Sequence, residues 1–141
     1  MIRRNLFPEG KLTMYSVPMK KILVAEDDRS LSRSLDTWLT LEGFQVVTVY
    51  NGEEALNKIL QERFDLLITD LVMPRLGGVE LISKIRQVNL DLPIMVVSGN
   101  LGNRIIKEIR EMDVHYVLPK PIKPAQFRKV IEQVFPESAL I

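Results

Sequence analysis

Three acids stand in a row at Glu26, Asp27 and Asp28, directly after the apolar run Ile22 to Ala25, and a fourth, Asp70, closes the run LLIT at 66–69. Crowded carboxylates repel one another and resist leaving water, so a folded chain keeps them in solvent or beside a compensating cation. If the two apolar runs are neighbouring strands, Glu26, Asp27 and Asp70 converge at one edge, although 43 residues separate Asp27 from Asp70. An all-oxygen set of that kind suits a hard cation such as Mg2+, with Mn2+ as a substitute. Two more runs end in polar groups: PIMVVS in the hydroxyl of Ser98, and HYVLPK in the ammonium of Lys120. Brought together, these groups form a place where a carboxylate accepts a phosphoryl group. The metal and Lys120 would offset charge on the non-bridging oxygens, and Ser98 would donate a hydrogen bond. Each residue also has a plainer reading: an acidic surface turn for 26–28, a turn cap for Asp70, an ordinary surface lysine for Lys120. Asp28 is read as facing solvent or capping a helix.

The elements that must position these residues follow from two alternating patterns. The short segments LVAEDD, QVVTVY, DLLITD, PIMVVSG and HYVLPK are rich in Val, Ile and Leu and closed by polar residues or Gly and Pro, so they read as five strands. The three central ones are apolar enough to be covered on both faces, as parallel strands are. Between them lie segments of helical period. The first carries Leu31, Leu35, Trp38, Leu39 and Leu41 and meets Gly43 as a C-cap. The second starts at Asn51 as N-cap and turns Ala55, Leu56, Ile59 and Leu60 inward. GVELISKIRQV, NRIIKEIREM and AQFRKVIEQVF supply three more stripes. Five strand-helix units in succession predict an α/β doubly wound parallel sheet with right-handed crossovers and helices on both faces. In such a sheet ligands bind beyond the C-terminal strand ends, where the acids, Ser98 and Lys120 all fall.

With 141 residues, 46% of them hydrophobic, the chain suits one domain with a sizeable core. Nineteen basic residues against 18 acidic ones leave a formal charge of +1, which selects neither nucleic acid nor a membrane surface. There is no cysteine, hence no disulfide or thiolate site, and the single histidine, His115, cannot form a histidine ligand cluster. No apolar run reaches 18 residues and no secretory signal stands at the start, so the expected location is cytoplasmic. Residues 1–19 read as an extension, disordered or loosely packed, because Pro8, Gly10 and Pro18 work against a packed element. Residues 20–136 form the expected domain and 137–141 a short tail, with no output domain in the chain.

The segments KILVAEDD, LLITDLVMPRLGG, PIMVVSG and VLPKP, in register at successive strand ends, resemble the receiver domain of two-component response regulators, the chemotaxis receiver included. The resemblance covers about residues 20 to 135. It implies a flavodoxin-like (βα)5 fold with strand order 2-1-3-4-5, and a phosphoprotein of bacterial phosphorelay signalling rather than an enzyme. Residue by residue it implies Asp70 as phosphoacceptor for a sensor histidine kinase or phosphotransfer protein. It also implies Glu26, Asp27 and Asp70 with the backbone carbonyl of Val72 as metal contacts, Ser98 as the hydroxyl that grips the phosphoryl group, Lys120 as the family's lysine, and Lys120-Pro121 as a cis peptide. Downstream targets are expected on the face made by the fourth helix, fifth strand and fifth helix, where Lys107, Glu108, Glu111 and Gln133 are available, and a homodimer through it is left open. Direct contact with nucleic acid or membrane is not expected.

Three positions depart from the family pattern. Glu26 stands where aspartate is commoner, which opens the question whether its longer side chain reaches the metal directly or through water. Gly77 replaces a frequent aspartate. Val117 occupies the place of the aromatic switch residue, and Tyr116 lies one earlier, where strand alternation turns it to the opposite face. Two alternatives to a stand-alone receiver remain: a receiver cut from a longer regulator with a DNA-binding or other output domain, and a receiver-like scaffold that is never phosphorylated. A metal-dependent hydrolase is disfavoured, because Val72 stands where such chemistry needs an acid. An NTPase is disfavoured by the lack of a G-x-x-x-x-G-K-[ST] loop.

Overall fold

The computed structural model describes residues 2–6, 12–16 and 19–136, with side chains from Met19 onward. Its main body is a five-stranded sheet built from β3 (Lys21–Ala25), β4 (Gln45–Val49), β5 (Leu66–Thr69), β6 (Ile94–Ser98) and β7 (Tyr116–Pro119), in the order β4-β3-β5-β6-β7. All four pairings are parallel. Counting only these five strands, the order is 2-1-3-4-5, as the resemblance implied. The helices α1 (Arg29–Leu41), α2 (Gly52–Gln61), α3 (Gly78–Val88), α4 (Asn103–Glu111) and α5 (Pro124–Val134) alternate with them.

Alternation along each strand divides the core into two layers. Leu23, Leu67, Ile94 and Val96 pack with Ala55 of α2, with Leu81, Ile82 and Ile85 of α3 and with Ile109 of α4. Ile22, Val24, Ile68 and Val97 face the other way, onto Leu35 and Leu39 of α1 and Phe127 and Ile131 of α5. The central strands β3, β5 and β6 are therefore buried on both faces, which is why their sequences show no polar alternation.

The helix ends follow from local chemistry. Asp28 caps α1, its Oδ1 accepting from the N–H groups of Ser30 at 3.0 Å and Leu31 at 3.2 Å, so this acid turns away from its two neighbours. Gly43, at φ 93°, follows the C-cap Glu42. The N–H of Gly43 bonds Thr40 O and that of Phe44 bonds Leu39 O, closing the helix in a Schellman arrangement. Asn51 caps α2 by accepting from Glu54 N at 2.8 Å.

Two expected inward residues are exposed instead. Leu41 is 81% and Leu60 59% exposed. At about 100° per residue, Leu41 has rotated about 240° from Leu35, and Leu60 about 140° from Ala55, which carries both off their buried stripes. Residues 2–6 and 12–16, within the segment expected to be a disordered or loosely packed extension, form β1 (Ile2–Leu6) and β2 (Leu12–Ser16), an antiparallel pair in register from Ile2 opposite Ser16 to Leu6 opposite Leu12. Pro8 and Gly10 fall between the strands in sequence. The tail at 137–141 lies outside the described residues. No helix among the described residues is long and apolar enough to cross a membrane.

Candidate functional site

The sheet ladder itself sets the heights of the site residues. Ala25 pairs with Val49 on one side and Thr69 on the other, and Ser98 pairs with Pro119. One residue further, the Glu26 N–H donates to Val49 O at 3.1 Å, the Asp70 N–H to Ala25 O at 3.2 Å and the Lys120 N–H to Ser98 O at 3.0 Å. Glu26, Asp70 and Lys120 thus leave the sheet from the last rungs of adjacent ladders. Their side chains meet at its C-terminal edge.

Lys120 joins the two buried acids. Its Nζ donates to Asp70 Oδ2 at 2.6 Å and to Glu26 Oε1 at 2.5 Å. The other Asp70 oxygen, Oδ1, accepts from the backbone N–H groups of Leu71 at 2.6 Å and Val72 at 3.2 Å. Thr69 Oγ1 donates to the Asp70 carbonyl at 2.8 Å, which fixes the backbone behind the carboxylate. Ser98 is buried, with its Oγ accepting from Asn100 N at 3.3 Å.

Electrostatics divide the two acids. Burial pushes the Asp70 carboxyl up, but hydrogen bonds from Lys120, the Val72 N–H and Ser98 outweigh it and hold the group below the usual aspartate value. At Glu26 burial wins. Despite Lys120, and with Asp70 and Asp27 adding repulsion, its carboxyl is pushed up to about 7. Burial alone would lower the Lys120 ammonium, whereas its bonds to Asp70 and Glu26 raise it. The reason Glu26 stays short of compensation is visible in its second oxygen: Oε2 is buried without a hydrogen-bond partner.

That orphaned oxygen is one sign that the pocket fits a cation. The other is that carboxylate oxygens of Glu26, Asp27 and Asp70 all lie within 4.8 Å of one another, two of the residues buried and Asp27 exposed. Hard carboxylate oxygens at that spacing, on residues one of which keeps a buried oxygen without a hydrogen-bond partner, form the donor set that a divalent ion such as Mg2+ takes.

The response regulator receiver domain model matches residues 22–132. The chain belongs to the response regulator receiver family. Among curated relatives, it is 37% identical over 122 residues to the transcriptional regulatory protein CpxR homolog of Haemophilus influenzae, covering 86% of this chain and 52% of that protein. It is 34% identical over 125 residues to the response regulator MprA of Mycobacterium tuberculosis, covering 84% and 54%. The chain therefore spans about half the length of the curated relatives it matches. The chemotaxis protein CheY4 of Vibrio cholerae superposes with a TM-score of 0.79 at 28% identity, over 84% of this chain and all of that one. A receiver domain from Methanospirillum hungatei shares the fold with a TM-score of 0.81 at 24% identity, over 86% and 98%.

As a receiver, the chain is a signalling domain rather than an enzyme of external substrates. Its expected site residues fall into three groups. Glu26, Asp27, Asp70, Ser98 and Lys120 gather at one edge, and the Val72 N–H donates to the Asp70 carboxylate while the residue as a whole is 63% exposed. The Lys120-Pro121 bond is cis. Val117 and Tyr116 separate as alternation requires: Val117 packs with the α2-α3-α4 layer and Tyr116 with the α1-α5 layer. His115 precedes β7 and is exposed, its ring within 2.8 Å of Asp113 Oδ1, at the end of that strand opposite the one that delivers Lys120 to the acids. The sequence reading passed over Gly52. Its signal was the Asn-Gly pair opening α2, where a residue without Cβ follows the cap.

Proposed function

We propose that this receiver accepts a phosphoryl group on Asp70 from a sensor histidine kinase or phosphotransfer protein, with Mg2+ held by Glu26, Asp27, Asp70 and the Val72 carbonyl. The observation that carries the reading is the Lys120 bridge: one ammonium holds both the acceptor carboxylate and an acid with an orphaned oxygen. In the transfer, an Asp70 oxygen bonds to phosphorus as the phosphorus-nitrogen bond of phosphohistidine breaks, leaving an acyl phosphate and a neutral imidazole after protonation. When bound, Mg2+ neutralises charge on the phosphoryl oxygens. Asp70 enters ionised because its carboxyl is held below the usual range. Lys120, already at the acceptor, offsets the negative charge that arrives, and the Ser98 hydroxyl donates to it.

The domain runs over residues 20–136, with 1–19 as an extension and 137–141 as a tail. Its output is a change at the α4-β7-α5 face, which presents Lys107, Glu108, Glu111 and Gln133 to a protein target or a second copy. Because Val117 stands on the α4 side in place of a ring, the signal passes from Ser98 to α4 through aliphatic packing. Crystal forms with and without a beryllofluoride phosphoryl mimic are expected to differ at Ser98 and α4, and identical positions would contradict this route. A longer regulator is a second reading, favoured by the chain spanning about half the length of its relatives. Full gene length separates the two.

The direct test is incubation with phosphoramidate and Mg2+ followed by intact mass. Wild type is expected to gain one phosphoryl group and Asp70→Asn none. Modification of both would move the chemistry elsewhere, and modification of neither would favour the scaffold reading.

A further inference from the structure

The turn that carries Val72 is fastened in three places. At its start, Leu71 N and Val72 N donate to Asp70 Oδ1. At its end, Gly78 N donates to Leu71 O at 2.9 Å, and a Cβ on Gly78 would stand 2.3 Å from the Asp70 carbonyl oxygen. The third fastening comes from a different part of the chain. The Glu53 N–H, in the first turn of α2, donates to Arg75 O at 2.8 Å, and Arg75 Nε lies 3.6 Å from Glu53 Oε2. Beside it, a Cβ on Gly52 would stand 2.0 Å from Leu76 O and 2.9 Å from Leu76 C, so only glycine lets the two backbones approach.

The segment so held is strained. Arg75 has φ 53° and Leu76 φ 91°, left-handed backbone that a leucine adopts only when its surroundings impose it. Strain retained next to a reactive residue calls for a local purpose, and Mg2+ supplies one: it demands near-ideal octahedral geometry, so a ligating carbonyl displaced by a fraction of an ångström is a poor ligand.

We propose that the first turn of α2, through the absent side chain of Gly52 and the N–H of Glu53, is a positioning element that holds the Arg75-Leu76 turn, places the Val72 carbonyl beside Asp70 and thereby sets cation affinity. The proposal rests on the reading of Val72 as a metal contact. Loss of such outer support costs roughly tenfold or more in metal affinity.

The test is calorimetric titration of the full chain with Mg2+, together with the Mg2+ dependence of phosphoramidate labelling. Gly52→Ala pushes directly on the Leu76 carbonyl. Glu53→Pro removes the N–H donor together with the carboxylate beside Arg75 Nε, while proline remains tolerated in a first helical turn. Both are expected to weaken Mg2+ binding about tenfold, yet to label at the wild-type rate once Mg2+ saturates. Ala55→Gly, which loosens α2 while leaving Gly52 and the Glu53 N–H in place, is expected to lower the thermal midpoint and leave Mg2+ affinity unchanged. Wild-type affinity in both Gly52→Ala and Glu53→Pro would overturn the proposal, as would an equal affinity loss in Ala55→Gly. If Gly52→Ala fails to fold, Glu53→Pro decides alone. Failure of wild type itself to label with Mg2+ would instead remove the phosphoacceptor reading.

Discussion

Replacing Lys120 by alanine should expose how much of the fold depends on one ammonium between two buried acids. Its Nζ lies 2.6 Å from Asp70 Oδ2 and 2.5 Å from Glu26 Oε1, and those residues are only 7% and 3% exposed. Removing one partner from a fully buried ion pair costs about 3–5 kcal/mol. Two features reduce that here. The Lys120 side chain is 25% exposed, so solvent screens part of the attraction, and Glu26, with its carboxyl near 7, escapes by taking up a proton. We therefore expect Lys120→Ala to lose about 2–3 kcal/mol near pH 8 without Mg2+, and less near pH 6. Added Mg2+ should stabilise the variant more than wild type, because the cation meets an acid cluster with no resident ammonium. A tenfold tighter site would show as about 1.4 kcal/mol of extra stabilisation at saturation. Urea unfolding of both proteins at two pH values, with Mg2+ or chelator, measures every quantity. A loss below about 0.5 kcal/mol near pH 8, or equal stabilisation of both proteins by Mg2+, would refute the reasoning.

Three further outcomes follow, two from Glu26 and one from Arg86. Glu26 is raised from 4.5 to about 7, so in that window the folded chain binds more protons than the unfolded one, and its contribution to stability falls as pH rises from 4.5 towards 7. Glu26→Gln should remove that slope in Mg2+-free unfolding curves, and in wild type Mg2+ affinity should rise about tenfold per pH unit below 7, since binding expels the proton. Arg86 donates to the carbonyls of Met112, Asn89, Leu92 and Asp113, tying the end of α3 to the end of α4. Arg86→Ala should cost about 2 kcal/mol in chemical unfolding, because half-buried carbonyls lose a charged donor, while Mg2+ affinity stays at the wild-type value.

Much of this is legible in the sequence alone. The strands and helices could be placed because buried parallel strands are short, β-branched runs and each ends in a residue that breaks the pattern. Those terminating residues gather at the candidate site, so the same signal that delimited β3, β5, β6 and β7 also pointed to Glu26, Asp70, Ser98 and Lys120. Opposite facing of Tyr116 and Val117 followed from the two-residue period of a strand. Other features depend on distances between segments far apart in sequence. That Lys120 would bind Glu26 as well as Asp70, and that Glu26 Oε2 would be left without a partner, required knowing how deep each strand end sits. Gly52 is the same case: an Asn-Gly pair marks a helix start, but the backbone 24 residues later that forbids a Cβ there is invisible in the local sequence. The outward placement of Leu41 and Leu60 is different, because leucine is a good helix former on either face and its identity alone did not report burial.

The central claim is that Asp70 is the group that becomes phosphorylated, and only in the presence of a divalent cation. It is tested most directly by labelling the wild-type chain with phosphoramidate, reducing the product with borohydride and mapping the modified peptide by mass spectrometry. Reduction at Asp70 with Mg2+, and none with chelator, is the result the account predicts. Reduction at another carboxylate, or equal modification of Asp70 without a divalent ion, would contradict it.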